Sequence, residues 1–99
     1  MSYVEDLFSV GGKVALVTGG ATGIGRMIAT GLVQAGARVL IASRKGEDCV
    51  KVAEELNALG SSGSAEGFAG DIGTEEGVVA LVGAVRSRTD RLHILVNNA

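Results

Sequence analysis

Thr18-Gly19-Gly20-Ala21-Thr22-Gly23-Ile24-Gly25, directly behind the apolar run Lys13-Val14-Ala15-Leu16-Val17-Thr18, decides how the rest of the chain is read. The apolar run reads as a strand buried on both faces, as in a parallel sheet. Beyond the glycines, Ile24, Ile28, Leu32 and Ala35 recur every three or four residues, with Gly36 just after. That is the apolar stripe of a helix and its glycine stop. A glycine pattern carries weight only between a strand and a helix, and this one sits there. Gly19 permits a sharp exit from the strand. Gly23 removes a side chain where a diphosphate must approach the backbone, and Gly25 lets the helix pack closely on the sheet. The helix then points unsatisfied N–H groups and its positive dipole end at an anion. Thr18, Gly19, Ala21, Thr22, Gly23, Ile24 and Gly25 are therefore candidate contacts to a bound nucleotide. No Lys-Ser/Thr pair follows the last glycine, so this is not an ATP-type phosphate loop.

Outward from this bend the same alternation repeats. Arg38-Val39-Leu40-Ile41-Ala42 is a second strand. Val50, Ala53, Leu56 and Leu59 mark a second helix, closed by Gly60. Ser61 to Ser64 is a polar turn, and Ala65 to Ala69 is a weak third strand with a glycine inside it. Thr74 is placed to cap a third helix, whose stripe is Val78, Leu81, Val82 and Val85, and Glu75 and Glu76 suit its positive end. His93 to Val96 is a fourth strand, followed by Asn97-Asn98-Ala99. Strands alternating with helices predict an α/β fold: a Rossmann-type parallel sheet, incomplete, with right-handed crossovers and strand order 3-2-1-4. The first two helices are expected on one face and the third on the other. The fourth strand is then an open, apolar edge, which predicts a marginal or self-associating chain.

Composition narrows the function. The chain has 99 residues, enough for one small domain, with 16 glycines and no proline. Its net charge of −2 argues against a nucleic-acid partner. Arg86, Arg88 and Arg91, interrupted by Asp90, read as the solvated end of a helix. Cys49 is the single cysteine, with no nearby His or second Cys, and reads as structural filler. No apolar run approaches the roughly 20 residues of a membrane span. Glu5 and Asp6 do not suit a signal peptide, so a soluble, cytoplasmic protein is expected. His93, the sole histidine, reads as structural or solvent-facing, and no metal site is expected.

The end of the second strand bears on which nucleotide fits. A carboxylate there would accept hydrogen bonds from a ribose 2′-OH. Instead the chain reads Ala42-Ser43-Arg44-Lys45, with no acid before Glu47 and Asp48. Ser43 can donate to a phosphate oxygen and Arg44 can pair with a 2′-phosphate through its fork of donors. NADP(H) is favoured over NAD(H). The alternative is that Arg44 and Lys45 are ordinary surface cations.

These stretches together resemble the short-chain dehydrogenase/reductase family. The likeness rests on Gly12 to Gly19, the Gly19-x-x-x-Gly23-x-Gly25 loop, Asp71-Ile72 after the third strand and Asn97-Asn98-Ala99 after the fourth. Leu7-Phe8-Ser9 leading into the first strand is most like the 3-oxoacyl reductases of that family. The resemblance implies that Asp71 bonds the adenine amino group, with Ile72 beside the ring. It implies that Asn98 and Ala99 line the nicotinamide-side ribose. Asn97 would tie neighbouring strands. A local turn is the plainer role for Asp71. Many NADP-preferring relatives carry Arg or Lys where this chain has Thr22. The family reduces carbonyl substrates with a Tyr-x-x-x-Lys pair, a Ser and an Asn, all of which lie beyond the Asn-Asn-Ala segment. Here the only tyrosine is Tyr3, and Leu7 stands four positions on. The resemblance thus makes residues 1–99 the cofactor-binding part of a homo-oligomeric enzyme of roughly 250 residues, the size of a complete doubly wound domain. A non-catalytic NADP(H)-sensing module is the alternative.

Overall fold

The computed structural model describes residues 9–98, in strict alternation: β1 (Val14–Thr18), α1 (Gly23–Gln34), β2 (Arg38–Ser43), α2 (Gly46–Asn57), β3 (Ser64–Ala69), α3 (Glu75–Arg86) and β4 (Ile94–Asn97). The four strands form one parallel sheet in the order β3-β2-β1-β4, as expected. Thr18 pairs with both Ala42 and Asn97, and Ser43 pairs with Ala69, so the carboxyl ends of the strands lie level. That edge is where ligands of open α/β sheets bind.

Alternation along the strands builds two cores. Ala15, Val17, Val39 and Ile41 face α1 and α2, with Ala29, Val33, Cys49, Val52 and Leu56 against them. Val14, Leu16, Leu40 and Ala42 face the other way, with Phe68 and Leu81. Two helices therefore cover one face and α3 alone the other, as the sequence predicts. Cys49 is fully buried filler. Among the described residues no helix is long and apolar enough to cross a membrane.

The buried stripe of α1 lies one position from the expected one, while α2 buries Ala53 and Leu56 of its expected stripe and not its ends. α1 turns Gly25, Ala29 and Val33 to the sheet, while Ile24 is 65% exposed and Ala35 is also exposed. α2 buries Cys49, Val52, Ala53 and Leu56, leaving Val50 and Leu59 outside. Apolar periodicity ranks residues by hydrophobicity, whereas close packing here selects small ones. Gly67 shows the same demand from the strand side, because a Cβ there would run into the Cys49 carbonyl of α2. The glycine that weakened the third strand as a sequence signal is the one that lets α2 lie on it.

α3 fits its expected start. Thr74 Oγ1 accepts from the Gly77 N–H at 2.9 Å, and Glu75 and Glu76 follow. Of its stripe only Leu81 is buried, and Val78 and Val82 are exposed. Arg88 corrects the picture of a solvated arginine cluster. Its guanidinium lies 4.2 Å from the Phe68 ring centroid, donates to Glu66 on β3, and caps the Ala84 carbonyl. A planar cation has an aromatic face, a carboxylate and a helix end to satisfy it there, which a charge count does not reveal.

Candidate functional site

Two adjoining clefts open at the carboxyl edge of the sheet. The larger, about 460 Å³, has Thr18 and Gly19 from the end of β1 on its floor and Thr22 on its α1 wall. Ser43 and Arg44 close the β2 side, Asp71 and Ile72 the β3 side, and Asn98 the β4 side. A smaller one, about 430 Å³, lies against Ala21, Thr22, Ser43, Arg44, Lys45 and Asp48. The structure thus brings Thr18, Gly19, Ala21, Thr22, Ser43, Arg44, Asp71, Ile72 and Asn98 to one edge. Gly23, Ile24 and Gly25 form the adjacent first turn of α1 rather than the cleft wall. Ala99 lies outside the described residues. Ala42, Gly70 and Gly73 line the larger cleft and Lys45 and Asp48 the smaller, and none was among the expected contacts. Four of the five adjoin a named contact in sequence, Ala42 beside Ser43, Lys45 beside Arg44, and Gly70 and Gly73 around Asp71-Ile72; Asp48, in the first turn of α2, carried no such signal.

The bend is held by sterics. Gly19 has φ +67, and a Cβ on it would strike the Asn98 carbonyl. A Cβ on Gly25 would meet the Gly19 carbonyl and the Asn98 side chain. Gly25 therefore admits the loop and the β4 end rather than the sheet as such. Gly23 differs, with φ +56 and nothing within 4 Å of the missing Cβ. Its left-handed backbone favours glycine, and the space beside it is open. Hydroxyls and amides lash the strand ends together. Thr18 Oγ1 donates to Asn97 Oδ1 at 3.0 Å and accepts from the Asn98 N–H at 3.2 Å. Asn97 has the strand-tying role expected of it. His93, at the opposite end of β4, accepts the Val14 N–H on Nδ1 at 3.0 Å, extending the β1–β4 ladder.

The polar groups of the clefts are unequally engaged. α1 has Thr22 at its N-cap, yet the side chain makes no capping bond, and no acid stands in the first turn. α2 lacks a side-chain cap but carries Glu47 and Asp48, and α3 has both cap and acids. The orphan amides of α1 are thus the least compensated, and an anion suits them. Ser43 Oγ accepts the Lys45 N–H at 3.2 Å and lies 3.1 Å from Cys49 Sγ, so its hydroxyl is committed to its own turn. Asp71 Oδ1 accepts the Gly73 N–H at 2.8 Å, the local turn considered above, while the residue still faces the larger cleft. Arg44 is exposed on the rim, and the ion pairs among the described residues are Arg26–Glu55, Arg38–Glu66 and Arg88–Glu66. Among the described residues, no three His, Cys, Asp or Glu side chains gather as a metal would need.

Known proteins place this geometry. A family model described as short chain dehydrogenase matches residues 13–99. The chain is 47% identical over 96 residues to the rhamnolipids biosynthesis 3-oxoacyl-[acyl-carrier-protein] reductase of Pseudomonas aeruginosa, covering 97% of this chain and 36% of that protein. It is 40% identical over 96 residues to D-threitol dehydrogenase of Mycolicibacterium smegmatis, covering 97% and 36%. A solved Pseudomonas aeruginosa RhlG/NADP active-site complex matches with a TM-score of 0.86 at 47% identity, over 93% of this chain and 36% of that one. L-Sorbose reductase from Gluconobacter frateurii, solved with NADPH and L-sorbose, matches with a TM-score of 0.80 at 38% identity, over 92% and 34%. The chain spans about a third of the length of these relatives. With its parallel sheet in the order 3-2-1-4, its glycine bend at the carboxyl edge and this family match over residues 13–99, the chain belongs to the short-chain dehydrogenase family.

Proposed function

We propose that residues 1–99 are the NADP(H)-binding part of a single Rossmann domain, and that the complete enzyme reduces a ketone or 3-oxoacyl thioester. The observation that carries this reading is the start of α1. It has neither a side-chain cap nor a first-turn acid, and it sits beside the open space at Gly23. Those features fit a diphosphate, which needs bare main chain and uncompensated N–H donors. The amides of Gly23, Ile24 and Gly25 would hold the diphosphate, with Gly19, Ala21 and Thr22 forming the loop around it. Arg44 would pair with the 2′-phosphate, with Ser43 beside it. Asp71, one oxygen held by Gly73, would present the other toward the adenine amino group, with Ile72 against the ring. Asn98 and Ala99 would border the second ribose. Thr18 would position Asn98 through the Oγ1 that accepts its N–H. When bound, the dinucleotide supplies a hydride to a carbonyl carbon. The likeness to an NADP complex and to an enzyme crystallised with NADPH supports the choice of nucleotide. A cytoplasmic, homo-oligomeric complete enzyme belongs to the same proposal.

Titrating the full chain with NADPH and NADH, following the fluorescence of the reduced nicotinamide, tests this. NADPH should bind more tightly. Arg44→Gln should weaken it roughly tenfold, the loss of about one hydrogen bond to a charged group, while leaving NADH nearly unchanged. Folded chain that takes up neither nucleotide would refute the reading. Equal affinity for both, unaltered by Arg44→Gln, would refute the NADP(H) part of it.

A further inference from the structure

We infer that Lys45 and Asp48 form an opposed pair that sets how strongly the smaller cleft prefers a phosphate monoester to a free hydroxyl. The inference rests on the nucleotide reading above and assigns roles to two residues outside its motifs. Both residues line that cleft with Arg44 and Thr22. Asp48 forms no ion pair with Arg44 or Lys45 among the described residues, so the three charged residues around this cleft are not cancelled by direct contact. The nearest hydroxyls are also unequal. Ser43 Oγ is held by the Lys45 N–H and Cys49 Sγ, whereas Thr22, at the N-cap of α1, makes no capping bond. Thr74 has nearly the same backbone, φ −133 and ψ 154 against −141 and 159, and does cap its helix. Backbone conformation therefore does not forbid capping at Thr22.

The cleft thus offers two cations, one carboxylate and an uncommitted hydroxyl. A phosphate dianion gains from Lys45 and Arg44 and is repelled by Asp48. A ribose hydroxyl carries no charge and feels little of any of the three. Charges that line one cleft lie within or near the roughly 8–10 Å screening length of physiological salt, so neither residue is negligible. Asp48 is not required for the helix. Glu47 stands in the same first turn, outside the cleft, and meets the α2 dipole equally well.

Isothermal titration of the full chain with adenosine 2′,5′-bisphosphate and with 5′-AMP reads the pair directly. Lys45→Gln should weaken the bisphosphate about threefold and Asp48→Asn should tighten it about threefold, both fading in high salt. Lys45→Arg should restore the wild-type preference. Binding of 5′-AMP should move less than about twofold throughout, which also reports that each variant is folded. If Lys45→Gln does not fold, Asp48→Asn reads the pair from the other side. Parallel changes for both ligands, or none, overturn the inference. If the wild-type chain binds NADPH while the variants keep its preference, this inference alone falls. If the wild-type chain binds neither NADPH nor NADH, the nucleotide reading falls and this one with it.

Discussion

Gly25 and Gly31 stand on the same helix and answer opposite demands. A side chain at Gly25 meets the Gly19 carbonyl and Asn98, both fixed by the sheet. Gly25→Ala should destabilise the chain by about 1–3 kcal/mol, as overpacking does, and should weaken nucleotide binding by shifting the bend. Gly31 is exposed, helical and has nothing within 4 Å of its absent Cβ. Gly31→Ala should stabilise by about 0.5–1 kcal/mol through backbone entropy. Urea unfolding midpoints of the two variants separate the two effects, and equal shifts would contradict the steric account of Gly25. Residue identity was legible at this scale only where chemistry is local. The sharp turn at Gly19 was readable, as was the Thr74 cap. The hydroxyl of Ser43 was assigned to a phosphate, but its neighbour Cys49 comes from the packed face of α2, and that contact is invisible in a linear reading.

Each helix start is a separate electrostatic arrangement. Thr74 accepts the Gly77 N–H, so Thr74→Ala should cost about 1 kcal/mol, the usual value of an N-cap. Thr22 makes no such bond, and Thr22→Ala should leave stability within about 0.5 kcal/mol. Thermal denaturation of the two variants without nucleotide tests the contrast. A large loss in Thr22→Ala would mean that its hydroxyl does cap α1 in solution, and would weaken the case for an uncompensated anion site. Strand and helix existence was readable throughout, because apolar runs and glycine stops are local signals. The rotation of each helix was readable only in part. α1 and α2 approach the sheet through Gly25, Ala29, Cys49 and Ala53, and of the expected stripes the ends Ile24, Ala35, Val50 and Leu59 point to solvent while Ala53 and Leu56 are buried.

Across the whole molecule the two faces are unequal. Leu16, Leu81, Val82, Val85, Leu92 and Leu95 border an apolar groove of about 450 Å³ between α3 and the β4 edge. Leu95 is 62% exposed, on a strand that among the described residues has a neighbour on one side only. An unpaired strand edge beside an apolar groove invites association. The 99-residue chain should therefore self-associate with rising concentration in sedimentation velocity, and Leu95→Lys should shift it toward monomer. A wild-type chain that stays monomeric at high concentration and melts sharply would show that the face is tolerated in water. The far edge is better protected: Arg88 packs over Phe68 and reaches Glu66, which Arg38 also approaches at 3.9 Å.

The order of elements, the parallel sheet, the sharp bend at Gly19 and the Thr74 cap were determined by the sequence alone. Their signals are local ones, apolar runs, glycine stops and a capping hydroxyl, and strict alternation of strands and helices then requires parallel pairing. Tertiary structure decided which faces of the helices are buried, that Ser43 is held by Cys49, that Arg88 guards β3, and that Lys45 and Asp48 share a cleft with Thr22. Those outcomes depend on how each helix is rotated against the sheet and on contacts such as Arg88 with Glu66, 22 residues apart, and only the assembled sheet fixes them.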